Sequence, residues 1–72
     1  MTQIEFWQEK VDRVFAVVAL RDQGAVPGIG DVVYVPEQDD GAKYAYAKVV
    51  GRRFYYSQTS DLTMIRLACE VL

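Results

Sequence analysis

Between Lys43 and Tyr56 the run KYAYAKVVGRRFYY carries four basic side chains, Lys43, Lys48, Arg52 and Arg53, and no acid. Interleaved with them are Tyr44, Tyr46, Phe54, Tyr55 and Tyr56. Basic groups track phosphates while rings stack on bases, the combination used in single-stranded nucleic-acid grooves on small barrels. The same residue types suit a protein interface, where Tyr and Arg are enriched among the side chains that dominate binding. Which of them share a face depends on Gly51. In an unbroken strand Tyr44, Tyr46, Lys48, Val50, Arg52, Phe54 and Tyr56 have one parity, a core face carrying two charges whose stems would have to snorkel to water. With a bulge at Gly51 the parity switches, turning Ala45, Ala47 and Val49 inward with Phe54 and Tyr56. Tyr44, Tyr46, Lys48, Arg53 and Tyr55 then form one outer face. The bulged register is preferred because it spares the core both charges, and these five residues are the candidate binding face.

The rest of the chain offers less chemistry. It has eight Lys and Arg against ten Asp and Glu, for a net charge of −2, which is far from the strongly basic footprint usual for nucleic-acid binders. The acids Asp31, Glu37, Asp39 and Asp40 cluster in the sequence, but PEQDDGAK lacks the alternating oxygen ligands of a calcium loop and reads as a solvated turn. Its charge complements the basic strand, and the two could pair between copies of the chain. There is no histidine, so the residue best suited to proton transfer near neutrality and to metal ligation is missing. Cys69 is the only cysteine, which excludes an intrachain disulfide and zinc spacings and fits a reducing cytoplasm. It alternates with Leu67 and Val71, as a buried small hydrophobe would, and no base stands beside it in the sequence to make it a nucleophile. GAVPGIG lacks both the P-loop lysine and the dinucleotide-turn spacing. Trp7 is expected to pack the N-terminal arm over one end of the fold. No catalytic, metal or cofactor pattern emerges.

The elements that must position this surface are short. Thr2-Gln3-Ile4-Glu5 has capping-box spacing, so residues 2–9 read as a helical turn or irregular arm, with a strand from about residue 11 through VFAVVAL. A helix running on through Leu20 remains the alternative, because Ile4, Trp7, Val11, Val14, Phe15 and Val18 fall near helical spacing. Residues 21–30, RDQGAVPGIG, are loop. DVVYVP is a strand ended by Pro36, the Asp-Gly of EQDDG signals a hairpin, and residues 43–50 return. After QTSD, the run LTMIRLACEVL alternates with Ile65, Leu67, Cys69 and Val71 on one face, and its apolar end is expected to dock in the sheet. No leader-like apolar segment and no membrane-length apolar run is present.

The whole reads as one domain over residues 1–72, all-β, a four- to five-stranded antiparallel barrel or bent sheet with at most a short N-terminal helical turn. PGIGDVVYVPEQDDGAKYAYAKVVGRRFYY resembles the middle of small SH3-like barrels, where a Gly-Asp turn opens a strand, a hairpin follows and a glycine-bent strand ends in aromatics. Gly28-Ile29-Gly30-Asp31 is also similar to the Gly-x-Gly-Asp turn of the plasmid-borne, trimethoprim-insensitive dihydrofolate reductases, tetramers with a central pore. Their pore-lining Val-Gln-Ile-Tyr has no counterpart here, where LTMIRL stands, and no catalytic residue is carried over. The expected function is a non-catalytic binding or assembly module, self-associating as a homo-oligomer or bound to a protein partner, without cofactor. The alternatives are a single-stranded nucleic-acid binder and an enzyme whose site forms only between subunits.

Overall fold

The structure, a computed structural model, describes residues 2–20 and 26–72. Strands β1 (Thr2–Gln8), β2 (Arg13–Leu20), β3 (Val32–Pro36), β4 (Tyr44–Tyr56) and β5 (Leu62–Val71) form one five-stranded sheet in the order β2-β1-β5-β4-β3. The sheet curls into a nearly closed barrel, all-β as expected. Gln38 N–H donates to the Phe15 carbonyl at 2.7 Å and brings the loop after β3 against β2. An exposed Arg13–Asp39 ion pair at 2.7 Å lies at the same seam and adds little in solvent. Among the described residues no helix is long and apolar enough to cross a membrane.

Two expectations fail at the N-terminus. Residues 2–8 are strand rather than helical turn, and helix is confined to a 3-10 turn at Glu9–Val11. Ile4 and Phe6 alternate inward, where burial outweighs the local capping signal. Thr2 Oγ1 caps no helix and instead donates to the Leu62 carbonyl at 3.0 Å, while Glu5 pairs with Arg66. The second correction concerns direction. The sheet is mixed rather than antiparallel, because β1 lies parallel to β5, with Ile4 beside Ile65 and Phe6 beside Leu67. Hairpin signals report only neighbours in sequence, and this pair joins residues about sixty positions apart.

The core is built from all five strands: Ile4 and Phe6, Phe15 and Ala16, Val35, Ala45, Ala47 and Val49, then Ile65, Leu67 and Cys69. Phe15 and Ala16 are consecutive yet both buried, because the β1–β2 register shifts between Phe6 and Trp7 and leaves Phe15 as an extra residue. Asp12 then holds a left-handed turn (φ 51°, ψ 54°) and accepts a 3.0 Å bond from Trp7 Nε1. The Asp-Gly hairpin forms, but across the longer loop between Pro36 and Tyr44, with Lys43 N–H donating to Asp40 and Asp40 Oδ1 accepting from Ala42 N–H. The chain end docks as expected, Leu72 N–H donating to the Tyr46 carbonyl at 2.8 Å. Of the expected 21–30 loop, residues 21–25 lie outside the described residues. Within the remainder, Gly30 (φ 95°) turns the chain between Gly28 and Asp31, whose Oδ2 accepts from Gly28 N–H at 2.7 Å.

The two glycines nearest the candidate face differ in kind. Gly30 needs a backbone conformation that side chains disfavour, whereas a Cβ on Gly51 would meet only the Ala68 methyl at an ordinary 3.5 Å. Gly30→Ala should therefore lower unfolding stability by about 1–2 kcal/mol and Gly51→Ala by under about 1, in urea melts of the two variants. Leu67→Ala, emptying a fully buried position, should cost about 2–5 kcal/mol in the same assay.

Candidate functional site

The bulge falls on Val50: Val49 stands opposite Cys69 and Gly51 opposite Ala68, so one residue of β4 has no partner on β5. The extra residue is thus one position before the expected Gly51, which is itself paired, and the parity switches as expected. Before it Ala45, Ala47 and Val49 are buried, and the candidate side chains Tyr44, Tyr46 and Lys48 face out; after it Arg53 and Tyr55 share that same outer face. All five are exposed.

The expected inward turn of Phe54 and Tyr56 is correct in parity and wrong in consequence. Phe54 stands opposite buried Ile65, yet it is 41% exposed and Tyr56 63%. Nor does the bulge keep Arg52 off the inner side, since it stands opposite Leu67. What spares the core is that the barrel is open at this end. Arg52 lies 5.5 Å over the Phe54 ring, both of them exposed.

The outer face divides into two groups. At one end Tyr34 of β3 stands directly across from Tyr46, their rings stacked 4.4 Å apart, and Tyr44 leans on the other side of Tyr34 at 4.8 Å. These rings are 57%, 55% and 52% exposed. Lys48 follows between Val32 on β3 and Glu70 on β5. Tyr34 was absent from the sequence-derived face, although its place between the inward Val33 and Val35 in VVYVP carried the signal.

At the other end three strands contribute rows. Glu5, Arg66 and Arg53 lie side by side on β1, β5 and β4, and the next row is Trp7, Ala68 and Gly51. Arg66 donates through Nε (3.1 Å) and Nη2 (2.8 Å) to a single Glu5 oxygen, an interaction that raises its pKa and keeps it charged. The guanidiniums of Arg53 and Arg66 lie 5.7 and 5.5 Å from the Trp7 ring, within cation–π range. Trp7 is thus a surface partner for two arginines rather than a plug at the barrel end. Because Gly51 and Ala68 are small, a shallow cavity of about 160 Å³ opens above them, with Trp7, Glu9, Arg52, Arg53 and Arg66 around it.

Three of the four acids of the expected acidic patch are already engaged: Asp31 and Asp40 accept from loop N–H groups and Asp39 pairs with Arg13. Among the described residues no three His, Cys, Asp or Glu side chains come together to hold a metal ion. Cys69 is buried, its Sγ 3.5 Å from the Leu67 carbonyl, and burial pushes the thiol pKa up to about 11 from 9.0. Burial of the neutral thiol therefore stabilises the fold below the ordinary thiol pKa, and this is lost as pH rises through the higher native value. At pH 8 a disulfide reagent should modify Cys69 of the folded protein far more slowly than that of the urea-unfolded chain, as followed by released chromophore.

Compared with known proteins, the chain matches no family model, no curated sequence and no solved structure, so what its surface does is argued from these residues alone.

Proposed function

We propose that the chain is a non-catalytic assembly module that pairs with a second copy through the tyrosine face of β3 and β4. One observation carries this reading: Tyr34 stacks on Tyr46 and packs at a tilt against Tyr44, while each of the three is more than half exposed. Stacking already restricts the rings, so covering them costs little further side-chain freedom, and tyrosines are frequent anchors of interfaces. A 72-residue chain buries a limited share of its surface alone, and a twofold pair lays one such patch on its equivalent. With Asp31 and Asp40 engaged inside their own loops and Asp39 paired with Arg13, cohesion comes from aromatic and apolar burial more than from charge.

We read the barrel as SH3-like on the Gly28–Asp31 turn that opens β3, the hairpin into β4 and the bulge at Val50. A second reading, single-stranded nucleic-acid binding, is supported by the placement of Tyr46, Lys48, Arg53, Tyr55 and Trp7 on one face. A third, an enzyme whose site forms between subunits, requires the same assembly.

Mass in solution over a concentration series tests the proposal. The wild type should rise above the 8.2 kDa monomer with concentration and hold its mass at high salt. Tyr34→Thr with Tyr46→Thr, which keeps strand-forming residues, should weaken association by roughly tenfold or more. A wild type that stays monomeric throughout would overturn self-association. Titration with single-stranded oligonucleotides then tests the second reading, which predicts a strong loss of affinity with added salt.

A further inference from the structure

We infer that the bulge end of β4 is an acceptor for an extended acidic segment of a partner protein, which would add a strand at the β4 edge and place a carboxylate in the cavity over Gly51 and Ala68.

The edge comes first. β3 pairs with β4 only from Tyr44 to Lys48, so from Gly51 to Tyr56 β4 has β5 on one side and, among the described residues, no strand on the other. The bulge also turns the backbone. Val49 uses its N–H and carbonyl on the Gly30–Asp31 side, away from β5, whereas Leu72 donates to Tyr46 on the β5 side. Antiparallel alternation, reset by one residue at Val50, directs Gly51, Arg53 and Tyr55 at β5 and leaves the N–H and C=O groups of Arg52 and Phe54 facing outward. The Tyr55 carbonyl indeed accepts from Thr63 Oγ1 of β5 at 3.0 Å. Such an outward row pairs readily with an added strand.

Charge selects the occupant. No Asp or Glu occurs between Gly41 and Ser60. Arg53 stands directly opposite Arg66, a like-charge pair that costs stability, and the Glu5 carboxylate is committed to Arg66. Among the described residues neither Arg52 nor Arg53 has an ion-pair partner. Three consecutive residues of that edge, Gly51, Arg52 and Arg53, line the cavity, so it borders the open edge, while the Arg52 guanidinium itself lies over the Phe54 ring. A second copy adding its own β4 edge would bring more arginines to these, whereas an acidic strand supplies what Arg53 lacks and meets outward backbone groups at the same time. Glu9 also borders the cavity, and its charge disfavours a further carboxylate beyond the one that Arg53 would hold.

The test uses the full chain and two end-blocked hexapeptides, one alternating threonine with glutamate and the other threonine with lysine. Trp7, the single tryptophan, reports from the cavity wall, and amide shifts report from Arg52 and Phe54. The glutamate peptide should give saturable changes in both signals, weakened by salt and by roughly tenfold in Arg53→Gln. The lysine peptide should give none, and Tyr34→Thr with Tyr46→Thr should bind the glutamate peptide unchanged, which separates this site from self-association. Equal response to both peptides, indifference to Arg53→Gln, or no saturation with the glutamate peptide would overturn the proposal. A change of solution mass in Arg53→Gln would also overturn it, by assigning the edge to contacts between copies.

Discussion

In the centre of the sheet the first strand lies parallel to the last, and the register of that pair decides what the molecule presents. With Ile4 beside Ile65 and Phe6 beside Leu67, the inner rows of two strands meet in the core. The same register places Glu5 beside Arg66 and Trp7 beside Ala68 on the other side. A slip of one residue would expose Ile4 and Phe6 and bury Glu5, so hydrophobic burial fixes the outer rows as firmly as the inner ones. The arginine–tryptophan cluster is therefore a consequence of core packing.

The pairing has three extra residues, Phe15, Val50 and, near the end of the β4–β5 ladder, Thr63, and the first two shape the rest. Phe15 adds a large ring to the core where β2 leaves the 3-10 turn, and Val50 reverses β4 at the point where β3 no longer pairs with it. Both act by setting two residues against one, which shifts faces locally without breaking the strand. On β4 this gives one strand two environments. Its first half is a middle strand with alanines and Val49 inward, and its second half is an edge whose inner side is open enough to carry Arg52, Phe54 and Tyr56.

Turn and alternation signals in the sequence were reliable guides. The Asp-Gly hairpin, the Gly28–Asp31 turn, the alternation of the last strand and a bulge that turns Lys48 outward could all be read from short windows, whereas the expectation that the same bulge would free the inner side of Arg52 fails. What could not be read was pairing between the chain ends, because nothing in TQIEFWQ names β5 as its neighbour, and Thr2 and Glu5 imitate a helix cap while serving tertiary bonds. Trp7 joined the surface only once strand order was known, whereas Tyr34 was legible from the alternation of VVYVP and the hairpin into β4. The exposure of Phe54 and Tyr56 was missed for a related reason: parity says which way a side chain points, and whether anything covers it depends on where the barrel stops.

Pro36 has a bearing on how far such a sheet can grow. Glu37 donates to Lys43 and Val49 donates to Asp31, so alternation along β3 points the backbone groups of Val32, Tyr34 and Pro36 away from β4. Proline thus stands where an outward N–H would otherwise offer itself to a newcomer. The two margins contributed by β3 and β4 are unequal, one lacking a donor and the other guarded only by charge. Polymerisation by pairing the β4 edge of one copy with β3 of the next is poorly served by that asymmetry, so the β4 edge can stay open without copies threading into a fibre through β3.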